Sequence, residues 1–179
     1  MQKNRTTYLA IIALLSSGLL LAATPAKPND AQIAHIAYTA GLLDVEAGKQ
    51  AVTKSQNNDV RAFAQRMISD HTTVNDQALA LVKKLNVTPE DNPTSQELTK
   101  QAEATREKLA SLTGTAFDKA NVDNEVAYHK TVNNALSTTL IPDAKNSELK
   151  SLLQTGLKLF EAHLKHAEHL SQQLGSAKS

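Results

Sequence analysis

The sequence has no cysteine and no tryptophan, and it contains little glycine, proline or aromatic residue. Its 179 residues include six glycines, five prolines, three phenylalanines and three tyrosines. Without cysteine, the chain has no disulfide bond and no cysteine for lipid attachment. A sequence rich in Ala, Leu, Lys and Gln but poor in aromatic residues favours helices over strands. Its length is that of one domain with a proper hydrophobic core.

The sequence also lacks a long block of charges of one sign, and Lys83-Lys84 is its strongest basic run. The 19 basic residues nearly balance the 18 acidic ones. A nucleic-acid-binding protein needs a basic face that neutralises phosphates. We therefore expect no nucleic acid among the partners.

The first 26 residues have the layout of a secretory signal. Lys3 and Arg5 precede an apolar run over 8–23, and small residues follow it. The pattern predicts export with cleavage after Ala26, or alternatively after Ala23. An uncleaved membrane anchor is the other interpretation, although the run is shorter than the roughly 20 apolar residues of a bilayer span.

Cleavage would leave residues 27–179 as the folded domain, with 17 basic and 18 acidic side chains because Lys3 and Arg5 are removed. Such a protein is expected in the periplasm. The sequence does not distinguish the periplasm from extracellular release, and peripheral association with the envelope stays open.

Apolar residues recur at three- and four-residue steps along most of this domain, which is the period of amphipathic helices. The pattern predicts helices over residues 30–54, 60–85, 94–112, 116–138 and 146–174. Thr94 and Glu97 have the spacing of a capping box at the start of the third. Gly41 and Gly48, seven residues apart, indicate either close approach of another helix or simple tolerance of glycine.

The lengths of the connections predict the topology. The first two long helices are joined by a short polar turn, so they should be antiparallel neighbours. About 30 residues separate the second long helix from the next one, which is too long for a hairpin. We therefore predict an all-α, ferritin-like four-helix bundle with one long crossover, and the shorter helix of residues 94–112 would lie on the outside of it.

One polar residue from each long helix is predicted to lie in the same layer of this bundle. At about 1.5 Å per residue, Glu46 is about 15 Å from the end that holds the first turn, His71 and His129 about 20 Å, and His163 about 17 Å. Imidazole and carboxylate groups suit Zn, Fe, Mn, Ni or Cu as divalent ions. A metal-free hydrogen-bond network that fixes the helix register is the alternative.

Nearby acids could complete either arrangement. Asp70 precedes His71, and Glu125 lies four residues before His129, so that both can face the same way. Together with Glu161, these carboxylates are candidates for further ligands or for groups that orient the imidazole rings. The predicted metal ligands are Glu46, Asp70, His71, His129 and His163.

Four segments resemble the motifs of the domain of unknown function 4142 family, which is ferritin-like, exported and often labelled a predicted outer membrane protein. The segments are 41–49, 60–71, 117–129 and 162–164, and the resemblance covers residues 29–174. It implies that Glu46, Asp70, His71, His129 and His163 occupy the motif positions of the family. It does not indicate which activity, if any, the protein has. Ile68, Val126 and Phe160 stand three residues before the three histidines, where di-iron bundles use Glu-x-x-His. A mononuclear ion, or no metal, is therefore favoured over a di-iron centre.

These observations leave three functional hypotheses. The first is a non-catalytic periplasmic bundle that binds a divalent metal or serves the response to envelope stress. The second is a metal-dependent redox or hydrolytic enzyme, which needs an open coordination position and a solvent path. The third is a structural or interaction module whose histidines form a metal-free network.

Overall fold

The computed structural model describes residues 27–176, and the predicted signal segment lies outside them. The described chain is helical throughout: α1 Asp30–Lys54, α2 Asn58–Lys84, α3 Pro93–Ala110, α4 Gly114–Ala135 and α5 Ser147–Ser176. A π-helical segment, Leu136–Leu140, and a single turn, Ile141–Asp143, follow α4. Within residues 27–176 there is no strand, and no helix there is both long and apolar enough to cross a bilayer.

The four long helices form the predicted ferritin-like bundle. Helix α1 packs on α2 and α4, and α5 packs on the same two helices. Helix α3 lies outside the bundle against α1 and runs parallel to it. Its first turn reaches the start of α1, where Ser95 Oγ is 3.0 Å from His35 Nδ1, and its end reaches Lys54, whose Nζ donates to Ala110 O. Because α3 carries the chain back to the first turn, α2 and α4 run in the same direction.

Close packing of α1 against α2 explains Gly48. A Cβ atom at Gly48 would lie 2.9 Å from Ile68 Cγ1 and 3.1 Å from the Ala64 carbonyl oxygen. A Cβ at Gly41 would overlap the Asn75 side chain. The two glycines therefore admit α2, as the first of the two sequence interpretations expected.

The start of α3 differs from the expectation. Asn92, not Thr94, caps the helix: its Oδ1 accepts from the backbone N–H groups of Thr94 and Ser95, and Ser95 Oγ accepts from Asn92 N in return. Pro93 is the reason, because proline favours the first position of a helix and so places the cap one residue before it.

The end of α4 widens into the π-helical segment, which lies next to Pro142. Proline has no N–H to donate to the carbonyl four residues earlier, and its ring clashes with that carbonyl in an α-helix. A wider turn in front of Pro142 relieves this conflict. Leu136 and Leu140, the buried side chains of the segment, face the bundle interior.

The core is divided by a polar layer. One apolar cluster contains Ile33, Leu149 and Phe160, and another contains Phe63 and Leu170. Between them lie three buried histidines, one each from α2, α4 and α5. The fold thus brings side chains from distant parts of the chain into the middle of the bundle.

Candidate metal centre

The polar layer is built around His71, His129 and His163. Their side chains are buried, with 3%, 1% and 2% of the residue exposed. One ring nitrogen of each lies within 4.8 Å of the others. Each histidine is on the apolar stripe of its helix, so folding the bundle necessarily turns all three inward. The predicted convergence of these three residues is confirmed.

The carboxylate from α1 is Asp44, and the placement of Glu46 in this layer is wrong. Asp44 is 1% exposed, and its Oδ2 lies 2.6 Å from His71 Nε2 and 4.0 Å from His129 Nε2. Glu46 is exposed and pairs with Lys49 and Arg106.

Helical geometry explains the difference, because two residues correspond to about 200° around a helix. Asp44 lies four residues after buried Ala40 and seven before buried Ala51, so it shares their face. This signal was present in the sequence, because a residue that lies four or seven positions from buried alanines of the same helix faces inward even when it is an aspartate.

Asp70 contacts the layer from its edge. It is partly exposed, and its Oδ2 is 2.9 Å from His163 Nε2. On the opposite side, His129 Nδ1 lies 3.0 Å from the backbone carbonyl oxygen of Glu125. Each oxygen can only accept a hydrogen bond from the ring, so the protonated nitrogens are His163 Nε2 and His129 Nδ1. The other nitrogen of each ring, His163 Nδ1 and His129 Nε2, then carries a free lone pair.

Several of these atoms have no hydrogen-bond partner although they are buried. They are Asp44 Oδ2, both nitrogens of His71, His129 Nε2 and His163 Nδ1. His71 Nε2 and Asp44 Oδ2 are close, but their orientation is not that of an N–H···O bond. An unpaired buried polar atom costs about 1–3 kcal/mol. A cation between these facing nitrogen and oxygen atoms would satisfy them.

The donor set fits a divalent ion of the first transition row or zinc. The three imidazole nitrogens lie within 4.8 Å of one another, and Asp44 Oδ2 lies within 4.0 Å of two of these rings. Together they would give four ligands, the number preferred by Zn²⁺. At bonds of about 2.0–2.1 Å, tetrahedral ligand atoms are about 3.3 Å apart. The 2.6 Å and 4.0 Å separations of Asp44 Oδ2 from the two rings bracket this value. Small side-chain movements would therefore suffice to close the site around an ion.

A second grouping overlaps the first. Asp44, Glu125 and His129 also offer ligand atoms within 4.8 Å of one another. Burial, and then the negative charge of Asp44 and a hydrogen bond with it, raise the pKa of Glu125 well above its usual value. Burial alone would raise the pKa of Asp44 too, but His71, His129 and Glu125 together bring it below its ordinary value. Asp44 is thus the ionised member of the carboxyl pair.

Burial favours the neutral form of His129 and His163, which is the form that binds metals. Burial, followed by the other two histidines, lowers the pKa of His163 to about 4, although its hydrogen bond to Asp70 acts in the opposite direction. Burial also lowers the pKa of His129, against the opposing charge of Asp44. At neutral pH these two rings therefore offer lone pairs to an ion without first losing a proton.

Two openings reach the layer. A cleft of about 180 Å³ between α1, α3 and α4 reaches Asp44 and Glu125. A larger cavity of about 790 Å³ inside the bundle reaches His71 and His129 from the other side.

The remaining histidines lie away from this layer. His35 Nδ1 contacts Ser95 Oγ at the rim, and the exposed ring of His166 packs edge-on against Phe63. His169 is exposed, and so is Glu161, so that the expectation of Glu161 as a further ligand is wrong.

Comparison with solved structures identifies a protein of similar helical fold. No curated protein has significant sequence similarity to the chain. The crystal structure of the DUF305 protein of Streptomyces coelicolor, which carries "secreted protein" in its name, has a similar fold with a TM-score of 0.68 and 11% sequence identity. The similarity covers 80% of this chain and 92% of that one, and at this identity it establishes the fold alone.

The family comparison is more specific. The model of a domain of unknown function, DUF4142, matches residues 18–170, which include all four long helices up to the last turns of α5 and the whole polar layer. The chain therefore belongs to the DUF4142 family.

Proposed function

We propose that this protein is an exported, non-catalytic helical bundle that binds one divalent metal ion in its interior. The ligands are His71, His129, His163 and Asp44. The observation that carries the proposal is the set of buried ligand atoms from four helices that face one another without hydrogen-bond partners. Asp70 and the Glu125 carbonyl fix the orientation of two of the rings, as groups behind metal-binding histidines commonly do.

Zinc and the later first-row divalent ions suit this donor set best. Imidazole is a good ligand for Zn²⁺, Ni²⁺, Cu²⁺ and iron, whereas Mg²⁺ and Ca²⁺ prefer sites built from oxygen alone. Because the site has no thiolate, cuprous ion is not favoured. Three histidines and one aspartate within a rigid bundle predict a mononuclear centre.

A metal-free register-fixing network explains the layer less well. Such a network stabilises a bundle when all of its members are hydrogen-bonded, and partly satisfied networks are costly. Here His71 has no hydrogen-bond partner on either ring nitrogen. A bound ion would supply the missing interaction to all three rings at once.

Export is supported by two independent features. Residues 1–26 have the pattern of a secretory signal, and the Streptomyces protein of similar fold is named as secreted. We place the mature chain in the periplasm, where a buried metal-binding bundle would serve metal handling or the envelope stress response. Peripheral association with the envelope is compatible with this location.

Elemental analysis tests the proposal. The full chain would be expressed without a histidine tag, and the exported protein would be purified from the periplasm and analysed for zinc, iron, manganese, nickel and copper. We expect about one ion per chain, and loss of that ion in His71→Ala and His129→Ala. His169→Ala is the matched control because His169 is exposed on α5. Metal far below one equivalent, even after each ion has been added back, would rule the proposal out.

A further inference from the structure

The large cavity inside the bundle is a long apolar channel. On α2 its lining extends from His71 to Val82, and on α5 from Leu149 to Phe160. Eleven residues separate the ends in each case, which corresponds to about 16 Å at 1.5 Å per residue. Its volume of about 790 Å³ is within the range of ligand pockets, roughly 300–1,000 Å³. The channel is thus large enough for an elongated small molecule.

The walls of the channel are aliphatic and built from small side chains. Alanine and glycine on three helices, including Ala37, Gly41, Ala78 and Gly156, leave space where larger residues would fill the core. Aromatic groups on the wall occur at one end, at Phe160 and Tyr128. A lining of this kind favours a flexible alkyl chain over a flat ring system, which would be held by stacking.

The π-helical segment contributes to the same wall. Leu136, Thr139 and Leu140 line the channel at the place where α4 is widened. Segments of π-helix occur frequently at functional sites. The irregular part of α4 therefore shapes the channel and does not merely end the helix.

The inner end of the channel is polar. His71 and Asn75 lie one turn apart on α2 and both line it, and Asn75 Nδ2 and His71 Nδ1 are buried without hydrogen-bond partners. If His71 Nε2 faces the metal, Nδ1 carries the proton, and this one point rests on the proposed function. Two donors side by side suit an oxygen acceptor such as a carboxylate.

The outer end of the channel is charged and reaches the surface. Lys27 is exposed there, and its Nζ lies 2.6 Å from Asp143 Oδ1. Exposed Pro93 and Thr94, at the start of α3, also line it. Since Lys27 and Asp143 already neutralise each other, the unpaired donors at the inner end are the better site for a head group.

We propose that the channel binds a medium-chain fatty acid, with its carboxylate at Asn75 and His71 and its alkyl chain along the aliphatic wall toward Lys27. This ligand satisfies the two unpaired donors and fills the space between the helices. The contact is non-covalent, and the channel exists whether or not the metal site is filled.

Titration calorimetry with saturated fatty acids of 8 to 14 carbons tests this proposal on residues 27–179 after removal of copurified lipid. We expect one site per chain, with affinity rising about fourfold for each added methylene because each buried CH₂ contributes independently. Ala78→Phe fills the channel and should lower the affinity at least tenfold. Ala80→Phe is the matched control because Ala80 is exposed on the same helix.

A second variant tests the head group and does not depend on filling the channel. Asn75→Leu should weaken dodecanoic acid at least tenfold, because the carboxylate loses a donor inside the bundle. Thermal unfolding establishes that each variant is folded. No saturable binding to the parent, or equal binding by Ala78→Phe, would overturn the proposal. Binding that is unchanged in Asn75→Leu would overturn the placement of the carboxylate.

The titrations would be made on EDTA-treated protein and again on zinc-loaded protein, so that the two proposals are tested separately. Fatty-acid binding by protein that takes up none of the five ions would refute the metal site and leave the channel standing. Zinc binding without fatty-acid binding would refute the channel alone. A copurified lipid without a carboxyl group, identified by mass spectrometry, would refute the fatty acid as the natural occupant.

Discussion

The substitution Asp44→Asn tests the site most directly. Asp44 supplies the one oxygen and the one negative charge among the four ligands, and it is 1% exposed. Asparagine has nearly the same shape, so the change removes charge and leaves the packing unaltered. Loss of a group that merely orients a metal ligand weakens metal affinity about 10–100-fold. Since Asp44 is itself a ligand, we expect the upper end, about 100-fold.

The consequence for stability follows from the linkage between binding and folding. Metal at 100 times its Kd stabilises the parent by about 2.7 kcal/mol. For a domain of this size that raises Tm by about 5–11 °C. At the same metal concentration the Asp44→Asn variant is only half saturated, and it should gain about 0.4 kcal/mol, or roughly 1–2 °C.

The assay is thermal unfolding followed by circular dichroism, with zinc and with EDTA, on both the variant and a matched control. Glu46→Gln removes a carboxylate from the same helix two residues away, where the side chain is exposed and pairs with Lys49 and Arg106. It should retain the full zinc-dependent shift. Loss of the zinc-dependent shift in Tm in Glu46→Gln, with the shift retained in Asp44→Asn, would refute the assignment of Asp44 as the ligand.

Three further predictions concern stability. In the metal-free protein, the free energy of unfolding should fall as the pH drops from about 6.5 to 4, because His163 is protonated at a higher pH in the unfolded state than in the folded one. Burial lowers the pKa of His163 from 6.5 to about 4, so the loss measured by urea unfolding is about 3 kcal/mol. The variant His163→Gln should reduce this loss. Gly48→Ala should destabilise the protein by about 1–3 kcal/mol because the added Cβ would meet α2. Gly156→Ala should be neutral or stabilising, because the nearest atom to its Cβ lies 3.4 Å away. Equal effects of the two variants would contradict the packing argument. Asn92→Ala should lower the free energy of unfolding by about 1 kcal/mol through loss of the α3 cap, and Thr94→Ala should change the urea midpoint little. A larger effect of Thr94→Ala would support the capping box expected from the sequence.

The agreement between sequence and structure is closest for the helices and their order. Each long helix has an apolar stripe that can be buried on one side only, and the link lengths permit few ways of connecting such helices. For the same reason, His71, His129 and His163 were found to converge. Counting residues along straight helices gives height well, because the rise per residue is constant.

Counting gives the direction of a side chain less well, and Glu46 shows why. Glu46 and Asp44 have nearly the same height, so the layer argument could not separate them. Their separation of about 200° around α1 decides which one is buried. At the start of α3 the difficulty was similar, since Thr94 and Asn92 are both residues that cap helices, and the placement of Pro93 selected Asn92.

The sequence by itself determined the helices, the bundle and the three histidines of the layer, because period and rise are local properties of the chain. Helical spacing also carried the signal for Asp44, but only the tertiary structure decided that Asp70 and Glu125 orient two rings and that a long apolar channel reaches the same layer. These features depend on how helices distant in sequence are rotated and spaced against one another. Small differences in packing change both the rotation and the spacing.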